Sequence, residues 1–261
     1  MEKVKVFLSD PQVLFREGIH FILSGEDDFE VTGETTSNEE AFTLIGVNPP
    51  NIAILSMRNG KLDGPEITRR IKRSLPSISV ILIMDKSNEE ELFLGMKCGA
   101  SACLTKDADP DYLLDIIRVV AQGSHPIIEA LQVPELASKV LEEFRDVAEL
   151  NEQFNNLMAT ITPKEIEILN SIAAGNSIEQ IAGTLDISEE TIRRNLRLIL
   201  NKLVSNDQTR ALIEAAQRSL HFVGNIVKMD RTSADCVTRA EFNEFKEKLM
   251  ERLKTFIGEI A

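Results

Sequence analysis

The sequence predicts a doubly wound α/β domain followed by an all-α helix-turn-helix domain, joined by a long linker helix. Three observations carry this expectation. Between residues 3 and 123, five short apolar runs alternate with amphipathic stretches. Between residues 134 and 158, apolar residues recur at steps of three and four. Between residues 162 and 203, three helix-start signals follow one another at short spacing. The length of 261 residues agrees, because it exceeds one typical core of roughly 100 to 200 residues.

The five runs are VKVFLS, FEVTGE, NIAILS, SVILIM and SACLT. Their β-branched residues and flanking turn residues mark them as strands. Helical patterns lie between them, for example Val13, Phe15, Ile19, Ile22 and Leu23, then Ala41, Leu44 and Ile45. Near-continuous apolar strands separated by helices imply a parallel sheet covered on both faces. Chemistry in such sheets sits at the carboxyl ends of the strands. Those ends are Ser9-Asp10, Ser56, Met84-Asp85 and Lys106.

After Gly123, the Gly and Pro residues around SHPIIEALQVPE mark a boundary. A helical stripe follows, made of Leu136, Val140, Phe144, Val147, Leu150, Phe154 and Leu157. A stripe this narrow needs a partner, either a second copy in a short coiled coil or the flank of a neighbouring domain. It runs past both expected domain edges, which favours self-association.

Thr162-Pro163-Lys164-Glu165 combines an N-cap Thr, a Pro at the first helical position and a Glu at the third, so a helix begins there. Its expected apolar face is Ile166, Ile168, Leu169 and Ile172, and Gly175-Asn176 stops it. Ser177 is placed to cap IEQIAGTL, and Ser188 to cap EETIRRNLRLILNKL. Two helices joined by a short turn leave the later one free to enter a major groove. That helix buries Ile192, Leu196, Ile199, Leu200 and Leu203 and turns Arg193, Arg194, Arg197 and Lys202 away from this face.

Composition sets the limits. With 43% hydrophobic and 27% charged residues, the chain is expected to fold. No apolar run approaches the roughly 18 to 20 residues a membrane span needs, and MEKVKVFLSD lacks a secretory signal, so a cytoplasmic protein is expected. Cys98, Cys103 and Cys236 are too few and too isolated for a disulfide framework or a metal site, and read as small apolar side chains. The net charge of −13 speaks against nucleic acid for the chain as a whole, so charge must be read locally. Paired acids, a nucleophile with its base and a Gly-rich phosphate loop are all missing, so neither enzymatic activity nor a cofactor is expected.

The stretch TPKEIEILNSIAAGNSIEQIAGTLDISEETIRRNLRLILNKLVSNDQTRALIEA resembles the LuxR-type helix-turn-helix along its whole length. Matching positions include Thr162, Glu165, Gly175, Ile181-Ala182, Leu185, Ile187-Ser188, Thr191 and Lys202-Leu203. The resemblance implies double-stranded DNA as partner, with Arg193, Arg194 and Arg197 facing bases and phosphates and Lys202 on a phosphate. Ser188, Thr191 and Asn195 complete the candidate DNA-binding set; Asn195 stands where the family often has His. A helix over residues 209–220 commonly forms the dimer contact in this family, which implies a homodimer.

Residues 3–123 resemble the receiver domain, a flavodoxin-like fold, of NarL/FixJ-type response regulators. The likeness is carried by DPQVLFREGI, the LDG at 62–64 and CGASACLTKDADPDYLLDIIRVVAQG. Phosphotransfer in a receiver requires a carboxylate nucleophile, an acid pair for Mg²⁺, a switch hydroxyl and a Lys. At the matching positions stand Ser56 for the nucleophile, Ser9 and Asp10 for the acid pair, Met84 for the switch and Lys106. Cys103 replaces the aromatic that accompanies the switch. A serine hydroxyl has no acyl-phosphate chemistry to offer, so a degenerate pocket and a phosphorylation-independent regulator are expected. Asp10 and Lys106 are expected to pair, with Asp85 as a second acid at the rim. A ligand or protein partner at the altered pocket, or kinase modification of Ser56, stays open. So does an alternative function, a signalling adaptor that binds a partner kinase or regulator without reading DNA.

Typical members end near the helix matching 209–220, but this chain runs on to 261. Thr238-Arg239-Ala240-Glu241 reads as another capping box, followed by Phe242, Phe245, Leu249, Leu253, Phe256 and Ile260 on one helical face. That face needs burial on its own chain, a second subunit or another protein, and its charge pattern does not suit a membrane surface. The expected organisation is a receiver-like domain at 1–124, a linker at 125–159, a DNA-binding domain at 160–220 and an extension at 221–261.

Overall fold

The computed structural model describes the backbone of residues 3–153 and 158–229, and their side chains except for residues 150–153 and 216–229. The expected helix over 238–260, Cys236, Phe154, Leu157 and the side chain of Leu150 lie outside the described residues. Two compact units are present, residues 1–145 with 161–204, and residues 146–160 with 205–261.

The first unit contains a five-stranded parallel sheet: β1 (Val4–Ser9), β2 (Phe29–Thr35), β3 (Ile52–Ser56), β4 (Ser79–Met84) and β5 (Ala102–Thr105), in the order β2-β1-β3-β4-β5. Each strand starts and stops within a residue of its apolar run. Every residue of β3 is buried, as a central parallel strand requires. Its side chains alternate between two cores. Ile52 and Ile54 join Val6, Leu8, Ile83 and Leu104 beneath α1 (Val13–Ser24) and α5 (Pro110–Ala121). Ala53 and Leu55 join Phe7, Leu82 and Met96 beneath α2 (Asn38–Val47), α3 (Gly64–Ser74) and α4 (Glu89–Cys98). Helices leave β1 and β3 toward opposite faces, which makes the strand ends at Ser9, Asp10 and Ser56 the switch point of the sheet.

Helix α1 departs from its expected face. Ile19 and Leu23 are buried, but Val13 is exposed, as are Leu14 and Phe21. Arg16 takes an inward position instead, donating to the Asp10 carbonyl at 2.9 Å and to Glu34 at 3.0 Å. The two acceptors compensate the guanidinium for the water it gives up.

The first part of the linker stripe, Leu136, Val140 and Phe144, is covered by its own chain and is not free for self-association. A 3-10 segment (Pro126–Gln132) leads into α6 (Pro134–Gln153). Ile127, Leu131, Leu136, Ala137, Val140 and Phe144 are all buried in the same apolar cluster as α4. Two ion pairs fasten α6 alongside, Lys97 to Glu143 at 2.7 Å and Lys139 to Glu90 at 3.2 Å. A chain-internal partner wins because the stripe follows the sheet domain after a short connection, so little entropy is lost on docking.

Three further helices, α7 (Pro163–Ala173), α8 (Ile178–Leu185) and α9 (Glu189–Met229), close the first unit's apolar cluster with Ile168, Leu169, Ile172, Ile181, Ile192, Leu196, Ile199 and Leu203. Ile166 stays exposed, so the α7 face is narrower than its periodicity suggested. Gly99, with φ of +86°, ends α4, and a Cβ placed there would lie 3.2 Å from Val204 of α9. Helix α9 continues to Met229 where a separate helix was expected near Thr209. The intervening VSNDQ contains no Pro to remove an N–H from the ladder, and the Asn206 side chain is taken up by the Ala159 backbone rather than by a local turn.

In the second unit, Val147, Met158 and Ile213 form a small apolar cluster. The buried Asn206 side chain accepts from the Ala159 N–H at 2.7 Å and donates to the Ala159 carbonyl at 2.9 Å. Among the described residues, no helix is long and apolar enough to cross a membrane.

Candidate functional site

The carboxyl ends of β1 and β3 are closed by a neutral hydrogen-bonded knot. Asn38, the first residue of α2, is completely buried at its centre. Its Oδ1 accepts from the Ser9 hydroxyl at 2.9 Å and from Asn59 Nδ2 at 3.3 Å. Its Nδ2 donates to the Leu62 carbonyl at 2.9 Å and the Ser56 carbonyl at 3.3 Å. The Ser56 hydroxyl donates to the Arg58 carbonyl at 2.9 Å and is buried with the strand end. Ser9 and Ser56 therefore meet through Asn38. Both hydroxyls are turned inward.

Beside the knot lies a charged cluster. Lys106 Nζ sits 2.8 Å from Asp85 and 3.2 Å from Asp10 Oδ2, so the expected pair forms and Asp85 joins it. The Asp10 oxygen facing Lys106 has the charge contact but no well-directed hydrogen bond, while Oδ1 accepts from the Gln12 N–H at 2.7 Å. Desolvation works against the Lys106 ammonium, but the Asp85 hydrogen bond and the charges of Asp10 and Asp85 outweigh it and raise its pKa above the ordinary lysine value. Met84, at the end of β4, is buried, and its carbonyl accepts from the Lys106 N–H.

The second site is built on three capped helices. Thr162 and Glu165 form the reciprocal capping box of α7. Ser177 and Gln180 form another at α8, where the sequence predicts only the Ser177 cap. Ser188 starts α9 by accepting from the Thr191 N–H at 3.2 Å, and the two hydroxyls lie 2.8 Å apart. These caps satisfy N–H groups that a helix start leaves unpaired.

On α9, Ile192, Leu196, Ile199, Leu200 and Leu203 face inward, and Arg193, Arg194 and Arg197 are exposed. The guanidinium groups of Arg193 and Arg197 have company from the first helical turn. Glu189 lies 3.8 Å from Arg193, and Glu190 lies 2.7 Å from Arg197. Asn195 donates to the Thr191 carbonyl at 2.7 Å. Lys202 is placed differently from the arginines: its ammonium lies 2.7 and 2.8 Å from the oxygens of the buried Glu165.

Comparison with known proteins agrees with this two-part layout. A response regulator receiver domain model matches residues 6–118, and a model of bacterial regulatory proteins of the luxR family matches residues 159–215. YxjL of Bacillus subtilis, described as an uncharacterized transcriptional regulatory protein, is 30% identical over 220 residues, covering 84% of this chain and 98% of YxjL. The chain belongs to the response regulators with a LuxR-type helix-turn-helix. The transcriptional regulatory protein DegU of Brevibacillus brevis is also 30% identical, over 82% of this chain and 93% of DegU. The response regulator VraR of Staphylococcus aureus is 30% identical over 83% and 98%. A solved receiver domain of NarL from Mycobacterium tuberculosis is 28% identical, with a TM-score of 0.46, over 47% of this chain and 99% of that domain.

Within this response regulator, three residues matter that sequence reasoning missed. Asn38 and Asn59 complete the receiver knot, but Asn38 reads locally as one more polar residue after the cap Ser37, 29 positions from Ser9. Glu190 was within reach of the sequence, because it and Arg197 stand seven residues apart and so share one helix face.

Proposed function

We propose that this response regulator is a sequence-specific DNA-binding transcriptional regulator that works without aspartyl phosphorylation. The observation that carries the DNA-binding part is the outward face of α9. Arg193 and Arg197 keep about half of their side chains exposed, at 47% and 52%, while the opposite face is locked into the core. A rigid helix presenting arginines in this way suits bidentate bonds to guanine edges and contacts with phosphates. Ser188, Thr191 and Asn195 flank them at the amino-terminal end of the helix, which leads into the groove in helix-turn-helix docking.

Independence from phosphorylation is supported by the chemistry of the receiver knot. The strand-end position where an acceptor carboxylate is expected holds Ser56, and Ser9 leaves Asp10 without a neighbouring acid. Asp10 is engaged by Lys106, so no carboxylate pair is offered to a hard divalent cation. Met84 supplies no hydroxyl to follow a phosphoryl group. The regulator's level, partners or assembly then set its output. Binding as a homodimer on adjacent half-sites belongs to this reading. Because Leu136, Val140 and Phe144 are already buried, the dimer contact falls to residues from 209 onward.

Selection of bound duplexes from a random pool, followed by footprinting, tests the reader. A single enriched sequence, protected by the wild type and lost in Arg193→Ala/Arg197→Ala, is expected; no protected site favours the adaptor alternative. Incubation with a small phosphodonor and Mg²⁺ tests the switch. No acyl phosphate and an unchanged DNA affinity are expected, and a phosphate-dependent change in affinity would overturn the claim. Sedimentation of the protein–DNA complex measures the stoichiometry.

A further inference from the structure

The exposed arginine face of α9 carries an acid, Glu190, in the first turn of the helix. Glu190 Oε1 accepts from Arg197 Nη2 at 2.7 Å, and both side chains are open to solvent. The neighbouring contact, Glu189 to Arg193, is looser at 3.8 Å. An exposed pair of this kind contributes only about 0 to 1 kcal/mol to folding, and an acid in the first helical turn about 0.3 to 1 kcal/mol more, while on a face that approaches a polyanion the same carboxylate carries a cost. In the approach to DNA, that carboxylate is repelled by every phosphate. The groove groups that reward it are exocyclic amines, above all the cytosine N4 donor in the major groove.

We propose that Glu190 is a specificity-determining residue of the reader. It restrains Arg197 from settling on phosphate, aims the guanidinium at a guanine edge and accepts a hydrogen bond from the amine of a nearby cytosine. A duplex without that cytosine leaves the carboxylate oxygen not held by Arg197 desolvated and without a donor, so Glu190 discriminates by penalty as well as by attraction. The inference rests on the proposed role of α9 as DNA reader.

The test uses the full-length protein and its Glu190→Gln and Glu190→Ala variants. Circular dichroism confirms folding, which an exposed position leaves intact. Each protein is taken through random-pool selection, and affinities for the enriched site, for that site with single cytosines replaced, and for random duplex are measured across salt concentrations. Both variants are expected to bind random duplex more tightly and to lose preference at one cytosine. Their ratio of specific to random affinity should fall about tenfold, and the salt slope should steepen by about 0.9 as Arg197 gains a phosphate. An enriched sequence and affinity ratio that both variants leave unchanged would overturn the inference alone. A wild-type protein that enriches no sequence would overturn the DNA-reading proposal and the inference with it.

Discussion

Lys202 of α9 places its ammonium 2.7 and 2.8 Å from the two oxygens of Glu165 in α7, and the carboxylate is only 3% exposed. The same carboxylate accepts from the Thr162 N–H at 2.7 Å and from the Thr162 hydroxyl at 2.9 Å. One residue thus ties the start of α7 to the middle of α9. Lys202→Met leaves a buried carboxylate without its cation, and a loss of about 3 kcal/mol is expected in denaturant unfolding. Because Lys202 is held against Glu165, the salt slope of DNA binding should change less than it does for Arg194→Ala.

The pair also sets a pH dependence. Burial pushes the Glu165 pKa up, but the hydrogen bonds from Lys202 and Thr162 and the lysine charge bring it below the ordinary value of 4.5. A folded-state pKa below the unfolded one stabilises the protein above the unfolded pKa, and that contribution is lost as pH falls through the folded value. Wild-type stability should therefore decline below about pH 4.5. Glu165→Gln should show a flatter decline in the same unfolding series.

The receiver knot predicts a reversed pH response. Asn38→Ala leaves the Ser9 hydroxyl, the Asn59 amide and the Leu62 carbonyl without their partner, and a loss of about 2 to 3 kcal/mol is expected. Asn38→Asp would aim a buried carboxylate at the carbonyls of Ser56 and Leu62, which favours its protonated form. Its folded-state pKa is then raised, so the variant should lose stability as pH rises from 4 to about 7. Thermal unfolding at several pH values reads this directly.

Lys106 stands between Asp10 and Asp85 with its pKa raised. Its contribution is fully present below the unfolded lysine value of 10.5 and disappears as pH climbs through the folded value. Lys106→Met should cost about 3 kcal/mol at neutral pH, because Asp10 is left buried and charged. Adding Asp10→Asn should restore part of that loss, and a double-mutant cycle measures how much.

Gly99 and Val204 test the packing of α9 against the end of α4. A side chain at Gly99 meets two penalties, the left-handed backbone at φ +86° and a methyl group of Val204 at 3.2 Å. Gly99→Ala should cost about 1 to 2 kcal/mol for the backbone alone. Combining it with Val204→Ala should remove the crowding and leave the backbone penalty. Strict additivity of the two substitutions would show that they do not touch.

The features legible in the sequence were those whose hydrogen bonds close within a few residues or whose faces repeat with helix or strand period. Strands β1 to β5, the caps at Thr162, Ser177 and Ser188, and the division of α9 into apolar and basic faces are of this kind. The exposed arginines were readable for the same reason. Asn38, 29 residues from the Ser9 hydroxyl it receives, and Lys202, 37 residues from Glu165, were not. Neither position looks unusual beside its own neighbours.

By itself the sequence determined the local elements, because propensity, capping and periodicity act along the chain over a few residues. Only the tertiary structure decided which surfaces those elements would occupy. It gave Leu136, Val140 and Phe144 of α6 to their own chain, joined the Ser9 hydroxyl and the Ser56 carbonyl through Asn38, and drew Lys202 to Glu165. Each of these outcomes depends on distant groups meeting in an interior where a polar atom must find a partner and an apolar face must find cover.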